Sequence, residues 1–205
     1  MLLERTLDWL PLVTLVAMMT TGKLQALAMH RRGLRVTIVD WHRPIKELLY
    51  DTLMIGVAIC WIYLLVAEAW PLSLAWLPGW LSKKPVDWLP VRLLGAAFTL
   101  TAPVLYGAAL RSMGTSWRIG IDQKQSGPLV TSGLFAWTRN PIYTAMDLLL
   151  IGAFLIHGRV VSLLTSGALV LLVHGIVLRE ERFLREHYGD AFIAYRQSVR
   201  RYGPI

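Results

Sequence analysis

Cysteine is nearly absent from this chain of 205 residues: Cys60 stands alone, so no intramolecular disulfide can staple it. Charge is scarce too. Charged residues make up 17% of the chain, against about a quarter in soluble domains. That shortage argues against a soluble globule, while the apolar content described next excludes a disordered chain. Also missing are a Gly-x-Gly-x-x-Gly fingerprint, a phosphate-binding P-loop, a His-Glu-x-x-His helix and any cysteine cluster. Soluble-type nucleotide and zinc chemistry are therefore disfavoured, and no metal site is expected.

What the chain has instead is apolar length. Hydrophobic residues reach 55% and mean hydropathy is +0.50. A helix crossing a hydrocarbon core of about 30 Å needs roughly 20 apolar residues. Five stretches are candidates: Leu10 to Ala28, Leu48 to Ala69, Val91 to Ala109, Ile142 to Ile156 and Val160 to Leu178. Pro103 should kink the third. The fourth is short, and only His157, Gly158 and Arg159 separate it from the fifth, which predicts a helical hairpin. The expected fold is all-α and polytopic. Residues 1–110 supply three membrane helices, and residues 111–205 form a loop, the hairpin and an amphipathic tail helix.

The 21 Lys and Arg outnumber the 13 Asp and Glu, giving a formal charge of +8, and their placement is uneven. Lys23, Arg31, Arg32, Arg35, Arg43 and Lys46 follow the first span, and Arg111, Arg118, Lys124 and Arg139 follow the third. Arg179, Arg182, Arg185, Arg196, Arg200 and Arg201 fill the tail, leaving Arg5, Lys83, Lys84, Arg92 and Arg159 for the opposite side. Positive-inside counting then puts the amino terminus outside and the tail in the cytoplasm, with a bacterial inner membrane as the expected location. The charge is an address, and no nucleic-acid partner is expected. Trp70, Trp76, Trp80 and Trp88 mark the outer interface. A cleaved signal peptide is disfavoured because Glu4, Arg5 and Asp8 give the first run a mixed, not basic, start.

Chemistry-bearing residues concentrate in two places. Gly127-Pro128-Leu129-Val130-Thr131-Ser132-Gly133 forms a loop before Thr138-Arg139-Asn140-Pro141-Ile142-Tyr143. There Asn140 suits a helix cap and Pro141 a first turn. The second place is Arg179-Glu180-Glu181-Arg182. Two carboxylates at the negative pole of a helix need a cationic partner, and Arg139 or a bound cation would provide one. Beyond them, Leu184, Tyr188, Ala191, Tyr195, Val199 and Tyr202 recur at helical spacing as one stripe. Asp147 and His174 are ionisable groups inside the hairpin, expected to face the protein interior. Gly152, Gly167 and Gly175 permit close packing within that hairpin.

The run from Gly127 to Tyr143, followed by Glu180-Glu181-x-x-Leu184 and Tyr188-Gly189 with Tyr195, resembles the isoprenylcysteine carboxyl methyltransferase family. The resemblance covers about the last 95 residues; the earlier helices match only as apolar spans. It implies an integral membrane enzyme that uses S-adenosylmethionine, releases S-adenosylhomocysteine and methylates a lipophilic acceptor entering from the bilayer, such as an isoprenylcysteine carboxylate. The implied cofactor residues are Gly127, Pro128, Leu129, Val130, Phe135, Asn140, Pro141, Ile142, Tyr143, Glu180 and Glu181, with Arg139, Arg179 and Glu181 as catalytic candidates. Asn140 stands where the family commonly has His, and Phe135 where it has Tyr. Asn hydrogen-bonds but cannot shuttle a proton near neutrality. Two alternatives are a sterol-reductase-like enzyme using NADPH and a non-enzymatic membrane scaffold or carrier.

Overall fold

The computed structural model describes residues 2–33, 44–70, 72–114 and 128–203, and these contain helices and no strand. In chain order the helices are α1 (Leu2–Arg31), α2 (Ile45–Ala69), a short α3 (Gly79–Ser82), α4 (Leu89–Met113), α5 (Pro141–His157), α6 (Val160–Tyr188) and α7 (Asp190–Ser198). A 3-10 turn at Gly133–Ala136 precedes α5. Four of them, α1, α2, α4 and α6, are long and apolar enough to cross a membrane; α5, at 17 residues, is shorter. Apolar side chains such as Val13, Val16, Ile55, Ile59, Leu100, Val104, Leu164 and Leu171 stand exposed along these helices. An apolar exterior on this scale is that of a protein solvated by lipid. α4 runs through Pro103 as one helix.

The hairpin forms as the sequence predicts. α5 ends where Gly158 adopts a φ of +68, a left-handed conformation that favours glycine. A side chain there would also collide with the Val86 carbonyl. The turn is tied to the preceding loop by Val160 N–H donating to Lys83 O at 3.0 Å. At this end of the bundle Arg92 pairs with Asp8 at 2.7 Å, and Glu68 receives both Arg159 and Lys84. Three of the basic residues on that side thus share two carboxylates, so two of their three charges are neutralised locally.

α5 is the central helix. Its Ala145, Leu149, Leu150 and Ala153 share a core with Met18, Trp61, Leu65, Ala102 and Leu169 from α1, α2, α4 and α6. The glycines act differently from the expectation of hairpin packing. Gly152 lies against α4, not α6: a Cβ there would come within 2.8 Å of Gly95 O, and one on Gly95 within 2.8 Å of Gly152 O. Gly175 lies against Tyr50 of α2, and a Cβ on Gly167 would meet nothing. Gly152→Val should therefore push α4 from α5 and cost about 1 to 3 kcal/mol, read as a lowered melting temperature. Gly167→Ala should leave that temperature unchanged or raise it.

The tail is not one helix. Gly189 takes a φ of +53 and ends α6, so α7 starts with a shifted register. Leu184, Tyr188, Tyr195 and Val199 do pack together, but Phe192 takes the buried place expected of Ala191, which is exposed.

Candidate active site

Three segments meet at the tail end of the bundle: the loop before α5, the last turns of α6, and the residues after α7. Phe135, in the 3-10 turn, packs with Phe192, Tyr195 and Val199, and with Leu129 and Val130 behind it. Burial pushes the Tyr195 hydroxyl up to about 12, so it stays protonated and donates to Phe135 O at 2.6 Å. This cluster fixes the loop onto the tail.

Glu181 is the centre of a buried clasp. Its Oε1 accepts from Arg139 Nε at 3.1 Å and Nη2 at 2.9 Å, from Asn140 Nδ2 at 3.3 Å and from Arg201 Nε at 3.1 Å. Its Oε2 accepts from Arg201 Nη2 at 2.7 Å. The side chains of Arg139 and Glu181 are 7% and 8% exposed, so the pair is almost fully desolvated. The bonds to Glu181 hold the Arg201 guanidinium above its usual range. Arg139 also donates to the carbonyls of Val199 and Arg196, and its N–H bonds Arg200 O at 3.0 Å. Thr138 Oγ1 donates to Arg201 O at 2.8 Å. Asn140 occupies the cap position and Pro141 the first turn of α5, as the sequence predicts, but the Asn140 side chain does not cap the helix. Its amide is committed to Glu181 and to Arg201 O.

Glu180 faces elsewhere. Its Oε2 accepts the Tyr143 hydroxyl at 2.7 Å, and both residues line a cavity of about 490 Å³. The cavity also takes in Phe135, Arg139, Asn140, Pro141 and Ile142 at this polar end, then extends past Met146, Met54, Met18 and Leu15 to Trp61 and Leu169. Its size is that of a small-molecule site. Met19 and Ile55 line it from α1 and α2 and are themselves 51% and 56% exposed, so its apolar end opens sideways onto the lipid-facing surface.

Of the residues singled out from the sequence, Phe135, Arg139, Asn140, Pro141, Ile142, Tyr143 and Glu180 line the cavity. Glu181 lies behind the wall in the clasp. Leu129 and Val130 support Phe135 from the far side, Pro128 is exposed, and Gly127 lies outside the described residues. Arg179 does not join the Glu pair: it contacts Asp51 at 3.6 Å and stacks over Tyr50 at 4.2 Å, both on α2. Successive residues on a helix diverge by about 100°, so Arg179, Glu180 and Glu181 serve three different neighbours. Asp147 and His174 do not bond each other; His174 Nδ1 lies 2.9 Å from the Tyr202 hydroxyl. Sequence reasoning missed Thr138 and Arg201 as partners of the site. It also passed over the methionines of α1, α2 and α5, whose only signal was their number in an apolar chain.

Among the described residues no group of three or more His, Cys, Asp or Glu is arranged to hold a metal ion. No curated protein matches the chain. A family model does, that of phospholipid methyltransferase, over residues 91–191, a segment that runs from the start of α4 into α7 and contains the loop, hairpin and Glu pair. Through residues 91–191 the chain is thus similar to the phospholipid methyltransferase family, the membrane methyltransferases that its motifs resemble.

Proposed function

We propose that the protein is an S-adenosylmethionine-dependent methyltransferase acting on a lipophilic acceptor that reaches the cavity from the bilayer. One observation carries this reading. Glu180 turns its carboxylate to a largely apolar cavity, is held there by Tyr143, and meets no cation among the described residues, whereas Glu181 has two. Such a carboxylate is costly unless a cation joins it. S-adenosylmethionine fits, because it brings an ammonium and a sulfonium beside its carboxylate and supplies an electrophilic methyl.

Glu180 then binds the cationic side of the cofactor, with the Tyr143 hydroxyl fixing the carboxylate's orientation. The amino end of α5, at Ile142 and Tyr143, offers backbone N–H groups toward the cofactor carboxylate. Phe135 and Ile142 close the wall against water. Glu181, Arg139, Arg201 and Asn140 hold these elements in register, as positioning residues. Such alignment of nucleophile and methyl is worth about 7 kcal/mol or more in favourable cases. The basic bias reads this end as the cytoplasmic one.

The wall also bears on the acceptor. Arg139 is tied to Glu181 and to two tail carbonyls, and Arg179 is turned to Asp51. Among the described residues the cavity thus has no uncommitted cation for a carboxylate. A lipophilic acceptor without negative charge fits it better than an isoprenylcysteine-type carboxylate does.

Calorimetric titration of the purified full chain tests the cofactor. Saturable heat is expected with S-adenosylhomocysteine and none with NADPH; the reverse would overturn the proposal.

A further inference from the structure

On the other side of Arg139 from the cavity lies a second concavity, of about 510 Å³, lined by Arg196, Gln197, Ser198 and Arg200 with Arg139 and Arg201 at its back. Among the described residues no acidic one lines it. Arg139 and Arg201 share the single carboxylate of Glu181, which leaves one positive charge over. Arg196 and Arg200 are exposed, and among the described residues neither guanidinium pairs with a carboxylate. Part of the backbone's negative charge is answered from within: the carbonyl of Arg196 in α7 and those of Val199, Arg200 and Arg201 beyond it accept bonds from Arg139 or Thr138.

Two exposed apolar side chains stand close in sequence to residues that line this groove. Trp137, two residues before Arg139, is 64% exposed, and Ile193 on α7 is 43% exposed. Ile193, Arg196 and Gln197 follow one another at steps of three and one on the outward face of α7, and Arg200 comes just after its end. Phe192, Tyr195 and Val199 form the inward face. Arginines beside an exposed Trp and Ile match the headgroup level of a bilayer, where a ring enters the interface and a guanidinium meets phosphate. The planar fork of Arg suits a phosphate bidentately.

We propose that this groove binds the phosphate headgroup of an anionic phospholipid of the surrounding membrane, at a site separate from the methyl-transfer cavity. Arg196 and Arg200 hold the phosphate, and Trp137 and Ile193 lie along the upper acyl chains. Because Arg139 forms the wall between groove and cavity, a lipid seated here braces the clasp from outside. The site does not depend on the identity of the cofactor or the acceptor.

The test is the melting temperature of the detergent-purified full chain, titrated with phosphatidylglycerol, with phosphatidylcholine, and with inorganic phosphate alone. A saturable rise is expected with phosphatidylglycerol and not with the other two. Arg196→Gln/Arg200→Gln should raise the midpoint of that rise about 30-fold, the loss expected for two arginines at an anionic surface. Arg182→Gln/Arg185→Gln removes as much charge from exposed positions on α6 outside the groove and should leave the midpoint unchanged. Trp137→Ala, which alters no charge, should weaken the phosphatidylglycerol response and gives a second reading if the arginine variant does not fold. Equal responses to phosphatidylglycerol and phosphatidylcholine, an unmoved midpoint in the groove variants, or an equal loss in the α6 control would each overturn the proposal. Protection by millimolar inorganic phosphate alone would make this a free-anion site and overturn the lipid assignment.

Discussion

Glu180→Gln should weaken S-adenosylhomocysteine binding by about 10- to 150-fold, the equivalent of a hydrogen bond to a charged group at about 1.5 to 3 kcal/mol. Glutamine keeps the shape of the side chain and an oxygen for the Tyr143 hydroxyl, so the α5–α6 contact survives. What disappears is the negative charge facing the cavity. The melting temperature without ligand should hold or rise, because an uncompensated carboxylate has been removed from an apolar wall. Calorimetry on the variant decides the matter: an unchanged dissociation constant would remove Glu180 from the cofactor site. Tyr143→Phe should show a smaller loss, since it frees the carboxylate to rotate but leaves its charge.

Glu181→Ala should act on the fold first. It removes the shared acceptor of Arg139, Arg201 and Asn140 and leaves a buried guanidinium without a counter-charge. Breaking a buried pair from one side costs about 3 to 5 kcal/mol. Thermal unfolding in detergent should register this as a large drop. Arg201→Ala should cost far less, about 1 kcal/mol, because its side chain is 29% exposed and Arg139 still neutralises Glu181. If Glu181→Ala kept the parent melting temperature while losing turnover, the residue would belong to the chemistry instead of the clasp.

The contrast between these two neighbours shows where reading the sequence stops. Apolar runs located the long helices because a membrane allows the backbone few other forms, and three residues between two runs allowed only a hairpin. Asn140 and Pro141 marked the start of α5 by local preference alone. Which carboxylate faces the cavity depends instead on the rotation of α6 against α5, and Arg179 turned to α2 for the same reason. Gly152 serves α4 and not its hairpin partner, a choice made by tertiary packing. The tail stripe was legible as an apolar period, but one left-handed glycine moved its register, so Phe192 replaced Ala191 in the core. Arg201 could not be chosen among the tail arginines, because its role depends on a chain reversal after α7 that no periodicity records.

The clasp between Thr138, Arg139, Asn140 and the residues around Arg201 also has a meaning for biosynthesis. Its partners are far apart in the chain, at separations of 63 for Thr138 with Arg201 and 42 for Arg139 with Glu181. A ribosome must finish α6, then α7, and then release Arg201 before the polar end of the cavity can close. Until that moment the hairpin can sit in the bilayer with its apolar channel formed and Glu181 held by Arg139 and Asn140 alone. The polar end of the cavity is thus assembled last, and a chain cut short before residue 200 would insert as a membrane protein and lack the second arginine of the Glu181 clasp.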